Sequence, residues 1–71
     1  MAVAVVKEAI LRFLKQNPRA CDTVEGIALF WVPDSTRHEL LKALSDLVED
    51  GRVQRVEVGQ QVHYCLPPVN E

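Results

Sequence analysis

Apolar residues recur every three or four positions between Val3 and Gln16. Val6, Ala9, Ile10, Phe13 and Leu14 form one stripe, and Lys7, Glu8, Arg12 and Lys15 fill the remaining arc. This spacing predicts an amphipathic helix over Val3 to Gln16. Asn17-Pro18 ends it, because the residue before proline is pushed out of the helical region and proline has no amide hydrogen to donate. A short extended piece, Arg19-Ala20-Cys21, is expected next. Asp22 then stands three residues before Glu25, the spacing of a reciprocal helix cap, and predicts a second helix running to about Val32, where Pro33 stops it. On an α-helical wheel Val24, Ile27, Ala28, Phe30 and Trp31 share the inner face, leaving Glu25, Gly26 and Leu29 outside.

A third helix is expected after about three residues. Thr36 and Glu39 form another capping box, Leu40, Leu41, Leu44, Leu47 and Val48 make the buried stripe, and Gly51 holds the left-handed position past the end. Beyond it, Arg52 to Val58 and Gln61 to Leu66 read as two strands around Gly59-Gln60. Val62, Tyr64 and Leu66 alternate inward in the second strand, leaving His63 and Cys65 outward. Val53 and Val56 cannot share a face in a regular first strand, so a bulge is expected near Gln54-Arg55. Trp31, Leu44 and Tyr64 are expected to meet in the core.

The order helix, short strand, capped helix, tight turn, second capped helix, glycine and hairpin resembles the winged-helix (winged helix-turn-helix) superfamily over about Val3 to Leu66. The most specific stretch is Leu40-Leu41-x-x-Leu44-x-x-Leu47-Val48-x-x-Gly51-x-Val53 followed by Tyr64-x-Leu66, which looks like the join of the third helix to the wing. Asp22-Thr23-x-Glu25-Gly26-Ile27 with Trp31 is similar to a pattern in short bacterial winged-helix proteins. The resemblance implies an α+β fold of order α-β-α-α-β-β, with residues 1–66 as one domain and 67–71 as a loose C-terminal tail. It also implies one of two functions, since members of the superfamily bind DNA or serve as protein-protein modules.

For DNA, the third helix would enter the major groove and the wing would touch the flanking backbone. The contact set is then Ser35, Thr36, Arg37, His38, Lys42 and Ser45 on the helix, with Arg52, Arg55, Gln60, Gln61 and His63 on the wing. Arginine reads guanine, glutamine reads adenine, and the hydroxyls and lysine suit phosphate. Charge argues the other way. The chain has formal charge −2 and a pI near 5.6, and the third helix carries Asp34, Glu39, Asp46, Glu49 and Asp50 against Arg37 and Lys42 alone. Asp46, Glu49 and Asp50 also oppose the helix dipole, so either nearby Arg52 and Arg55 compensate them or the acidity serves a partner, with compensation the first expectation.

The run Ile27-Ala28-Leu29-Phe30-Trp31-Val32 supports the protein-contact reading, since six consecutive apolar residues cannot all face one core from a helix. Leu29 is expected outside, joined by Phe30 or Val32, and Gly26 is expected to admit another backbone or a partner at the same turn. The expected interface is therefore Glu25, Gly26 and Leu29, in a homodimer or an adaptor. DNA binding, as a transcriptional regulator, is the first expectation and the interaction module the alternative.

Other chemistry is sparse. With 48% hydrophobic and 25% charged residues the chain has a globular composition, but 71 residues bury too little surface for a deep cleft. His38, His63, Cys21 and Cys65 have no metal-ligand spacing, and no phosphate-cradling glycine loop or nucleophile elbow occurs. No enzyme activity, cofactor or small-molecule substrate is expected. Lys7 and Glu8 interrupt the apolar start too early for a signal peptide, and no run is long enough to span a membrane. The expected location is cytoplasmic, with Cys21 and Cys65 as free thiols.

Overall fold

The computed structural model describes residues 2–68. It is an α+β structure of three helices and a three-stranded antiparallel sheet. Helix α1 spans Val3–Gln16 and buries Val6, Ile10 and Leu14, spaced four residues apart on one face. The Asn17 amide donates to the Phe13 carbonyl at 2.9 Å, and its side chain repeats that bond at 3.0 Å, closing the helix before Pro18. Strand β1 is Cys21–Asp22, slightly later than the extended piece expected at Arg19 to Cys21.

The second helix begins as α2, Val24–Gly26, and continues as a π-helical segment, Ile27–Trp31. Its cap lies one residue later than expected. Gly26 donates its amide to Thr23 Oγ1 at 3.2 Å, while Asp22 Oδ1 accepts from the Thr23 amide at 2.8 Å. The close approach expected at Gly26 is made by a side chain of the same chain, since a Cβ there would collide with the Asp22 carboxylate. Glycine thus leaves room for the Asp22 carboxylate at the strand-to-helix junction.

The π winding changes which residues face inward. A bond from the Val32 amide to the Ile27 carbonyl, 3.1 Å long, spans five residues, so each residue turns about 80° rather than about 100°. Ile27, Trp31 and Val32 all reach the core, and Phe30 swings out. An α-helical wheel puts Phe30 on the inner face, and of the two residues expected to join Leu29 outside, Phe30 is the exposed one and Val32 is buried. The Trp31 ring stacks on Phe13 with centroids 4.6 Å apart, joining this segment to α1.

Residues 32–36, more than the three expected, carry the chain to α3, Arg37–Glu49. The Thr36 and Glu39 capping box forms as read from the sequence. At the other end Gly51 adopts φ +75°. Its amide bonds to Val48 O and the Arg52 amide to Leu47 O, both at 3.0 Å, the pairing that closes a helix through a left-handed glycine. Leu40, Ala43, Leu44 and Leu47 are buried and Val48 half-buried, but Leu41 is 43% exposed and leaves the expected stripe.

Strand β2, Gln54–Val58, pairs with β3, Gln61–Cys65, without interruption from Gln54 opposite Cys65 to Val58 opposite Gln61. The expected bulge is absent. Val53 precedes the strand and is buried beneath α3's end, where its amide bonds to Leu47 O, so it need not share a face with Val56. Gly59 takes φ +64° in the two-residue turn, the conformation that suits a tight hairpin. β1 pairs with the other edge of β3, giving the order β1-β3-β2. Tyr64 and Leu66 pack against the core with Trp31 and Leu44, as expected. Pro67 and Pro68 follow outside any strand, and the rest of the expected tail, 69–71, lies outside the described residues.

Candidate interaction surfaces

Two surfaces emerge from this arrangement. The first lies between α3 and the sheet. Opposed residues of an antiparallel pair share a face, so Asp22, Tyr64 and Arg55 point to the same side of the sheet. Arg55 and Tyr64 line a recess of about 220 Å³ with Leu41, Ser45 and Val48, which explains where the partly exposed Leu41 sits. The residues expected to contact DNA run from Ser35 to Lys42 at the start of α3 and from Arg52 to Gln61 along the hairpin.

Much of the polar chemistry expected there is already engaged within the chain. Ser35 donates its hydroxyl to Val32 O at 2.9 Å. Thr36 uses Oγ1 to accept from the Glu39 amide at 3.2 Å and to donate to Glu39 Oε1 at 3.0 Å. Arg37 pairs with Glu25 at 3.4 Å, and Lys42 pairs with Asp46 at 3.1 Å. Lys7 of α1 approaches the same Asp46 at 3.8 Å. Of the three acids near the end of α3, Asp46 is thus compensated by Lys7 and Lys42; Arg52 and Arg55, expected in that role, carry no ion pair among the described residues. His38, Arg52, Arg55, Gln60 and Gln61 are exposed. Gln60 and Gln61 border a second recess with Thr23, Val24, Glu25 and Val62, which sets the hairpin tip beside α2.

The bond from the Thr36 amide to Glu39 holds this carboxyl below its ordinary pKa. On the opposite face of the sheet Cys21, Cys65, Gln54, His63 and Val56 lie together. That face is drier than expected: Cys65 and His63 are half-buried, and His63 Nδ1 is shielded with no hydrogen-bond partner. No group of three or more potential metal ligands assembles among the described residues.

The second surface is apolar. Leu29 is 68% exposed and its neighbour Phe30 is 72% exposed, the two most exposed large hydrophobic residues described. Glu25, one turn earlier, is also exposed and pairs with Arg37. The sequence pattern marks Leu29 as exposed but leaves Phe30 open between inside and outside, because no local signal marks a π turn. A separate recess of about 390 Å³ at the end of α1, lined by Phe13, Asn17, Pro18, Arg19 and Ala20, brings together no catalytic constellation. No helix among the described residues is long and apolar enough to cross a membrane. Compared with protein-family models, curated proteins and solved structures, the chain matches none.

Proposed function

We propose that this chain is a winged-helix protein-interaction module whose contact surface centres on Leu29 and Phe30. The observation that carries this reading is the adjacency of two large apolar side chains in water on a segment whose other large residues are buried. Covering each in a close-packed contact stabilises a complex by about 1.5–3 kcal/mol, and aromatic residues such as Phe are enriched at the core of protein interfaces. Glu25 and Arg37 supply a polar rim. The strand order β1-β3-β2 and the helix-turn-helix path from Val24 to Glu49 support the winged-helix assignment.

A second copy of the chain is the first occupant to test, by sedimentation and NMR line width against concentration for wild type, Leu29→Glu and Phe30→Lys. Wild type should associate. Both variants should stay monomeric with melting temperatures close to wild type, because substitutions at exposed positions usually change stability within about 0.5 kcal/mol. A wild type that remains monomeric at millimolar concentration refutes self-association, and unfolding of Leu29→Glu would place Leu29 in the core and remove the surface.

DNA binding is the second reading. It is favoured by Arg52 and Arg55, exposed cations free of ion pairs among the described residues, with Arg55 at the recess beside α3. It ranks lower because the two cations of α3 itself, Arg37 and Lys42, already face carboxylates.

A further inference from the structure

Cys21 and Cys65 stand directly opposite each other across β1 and β3. Their side chains therefore leave the sheet on the same face. Opposed residues in an antiparallel pair have Cα atoms about 4.5–5.5 Å apart, within the roughly 4.4–6.8 Å that a disulfide spans. Both are free thiols, Cys21 exposed and Cys65 half-buried. On the far side of Cys65, in β2, Gln54 Nε2 donates to Leu66 O at 3.2 Å and touches Cys65 Sγ at 3.7 Å. The proximity is also felt electrostatically. The Cys21 thiol is pushed up to about 11, first by loss of solvent around the sulfur, then by Cys65 and by the Asp22 carboxylate.

We propose that Cys21 and Cys65 are an oxidative modification site, forming a reversible disulfide that fastens the two-residue strand β1 to β3. β1 leads directly into Thr23, the cap of the second helix. The bond would therefore tie the start of the helix that carries Leu29 and Phe30 to the sheet. This inference is independent of what binds those residues.

A small-molecule disulfide of the glutathione type is the oxidant. The exposed Cys21 loses its proton to water and its thiolate attacks one sulfur of that disulfide, breaking its S–S bond and releasing one thiolate, which takes up a proton. Cys65 then loses its proton, attacks the Cys21 sulfur and expels the second small thiol. Two cysteine thiols are oxidised to one disulfide, and one small disulfide is reduced to two thiols. The high Cys21 pKa makes the first attack slow at neutral pH and about tenfold faster for each unit of added alkalinity below that pKa.

The test equilibrates the full chain with mixtures of reduced and oxidised glutathione. Free thiols are then trapped by alkylation, followed by intact mass and a thermal melt. The expected product is a monomer lighter by two hydrogens, with no free thiol and a melting temperature raised by on the order of 10 °C, since the bond closes a long loop of the unfolded chain. Cys21→Ser and Cys65→Ser should each end instead as a single mixed disulfide with glutathione. The proposal is overturned if wild type carries two glutathione adducts, forms cross-linked dimers, keeps its thiols across all mixtures, or melts lower when internally oxidised.

Discussion

Leu41 and Leu44 lie three residues apart on α3, and the hydrophobic pattern of the chain assigns both to one buried stripe. The structure separates them: Leu44 is 1% exposed, and Leu41 is 43% exposed at the edge of the recess it shares with Tyr64 and Arg55. Truncating Leu44 to Ala removes its transfer free energy and leaves a cavity enclosed by other core residues, at a cost of about 3–4 kcal/mol. Truncating Leu41 forfeits only part of the transfer term and opens no closed void, so its cost is about 1 kcal/mol. A domain of this size has roughly 4–10 kcal/mol in total. Trp31 supplies the assay, since it is the single tryptophan, 8% exposed and stacked on Phe13, and its emission will report unfolding in urea. With a denaturant slope of about 1 kcal/mol per molar, the midpoint should fall by about 3 M for Leu44→Ala and about 1 M for Leu41→Ala at unchanged slope. Equal losses for the two variants would refute this orientation of α3, with Leu44 in the core and Leu41 outside it.

Thr36→Ala removes the α3 cap and should cost about 1 kcal/mol, read as a lowered melting temperature. The Glu39 carboxyl sits below its ordinary pKa through its bond to the Thr36 amide, so its contribution is fully present above the unfolded carboxylate range and is lost as pH falls through the lower, folded value. The gap between wild type and Glu39→Gln in thermal melts should accordingly narrow on acidification, and a gap that widens would contradict the cap. If DNA is the partner, binding to a duplex should weaken steeply from low to moderate salt, and Arg52→Ala/Arg55→Ala should flatten the slope by about two units. Identical weak binding by both proteins would remove the hairpin from consideration as a nucleic-acid surface.

Local signals carried the fold further than they carried the surfaces. The bounds of α1 follow from a four-residue period and one Asn-Pro stop, and the ends of α3 from a capping box and a glycine, all acting within a few residues of where they are written. The misread features depend on distant partners. Asp22 and Thr23 are both able to cap a helix, and the choice falls to Thr23 because Asp22 is held in β1 against β3. Val53 looks like a strand residue until the end of α3 claims it beneath Leu47. The charge count of α3 correctly marked it as acidic. It could not show that Asp46 gathers Lys7 from another helix as well as Lys42 from its own.

The π segment bears most directly on function, because it separates what the fold requires from what it leaves unexplained. The core needs both Trp31 and Val32, and a widened turn is the way a helix presents residues 27, 31 and 32 to the same side. This demand accounts for the outward direction of Phe30 and Leu29. It does not account for their identity, since polar side chains at both positions would satisfy the same backbone and lower the exposed apolar area. Two such residues side by side weigh more than one exposed leucine, which is ordinary on any surface. The cations of α3 point the same way, since each is paired within the chain where a phosphate-binding surface would leave it free. The chemistry presented outward is therefore apolar at the second helix, while along the third the cations are paired and Glu49 and Asp50 stay exposed, a combination that supports the proposed protein contact over a polyanion.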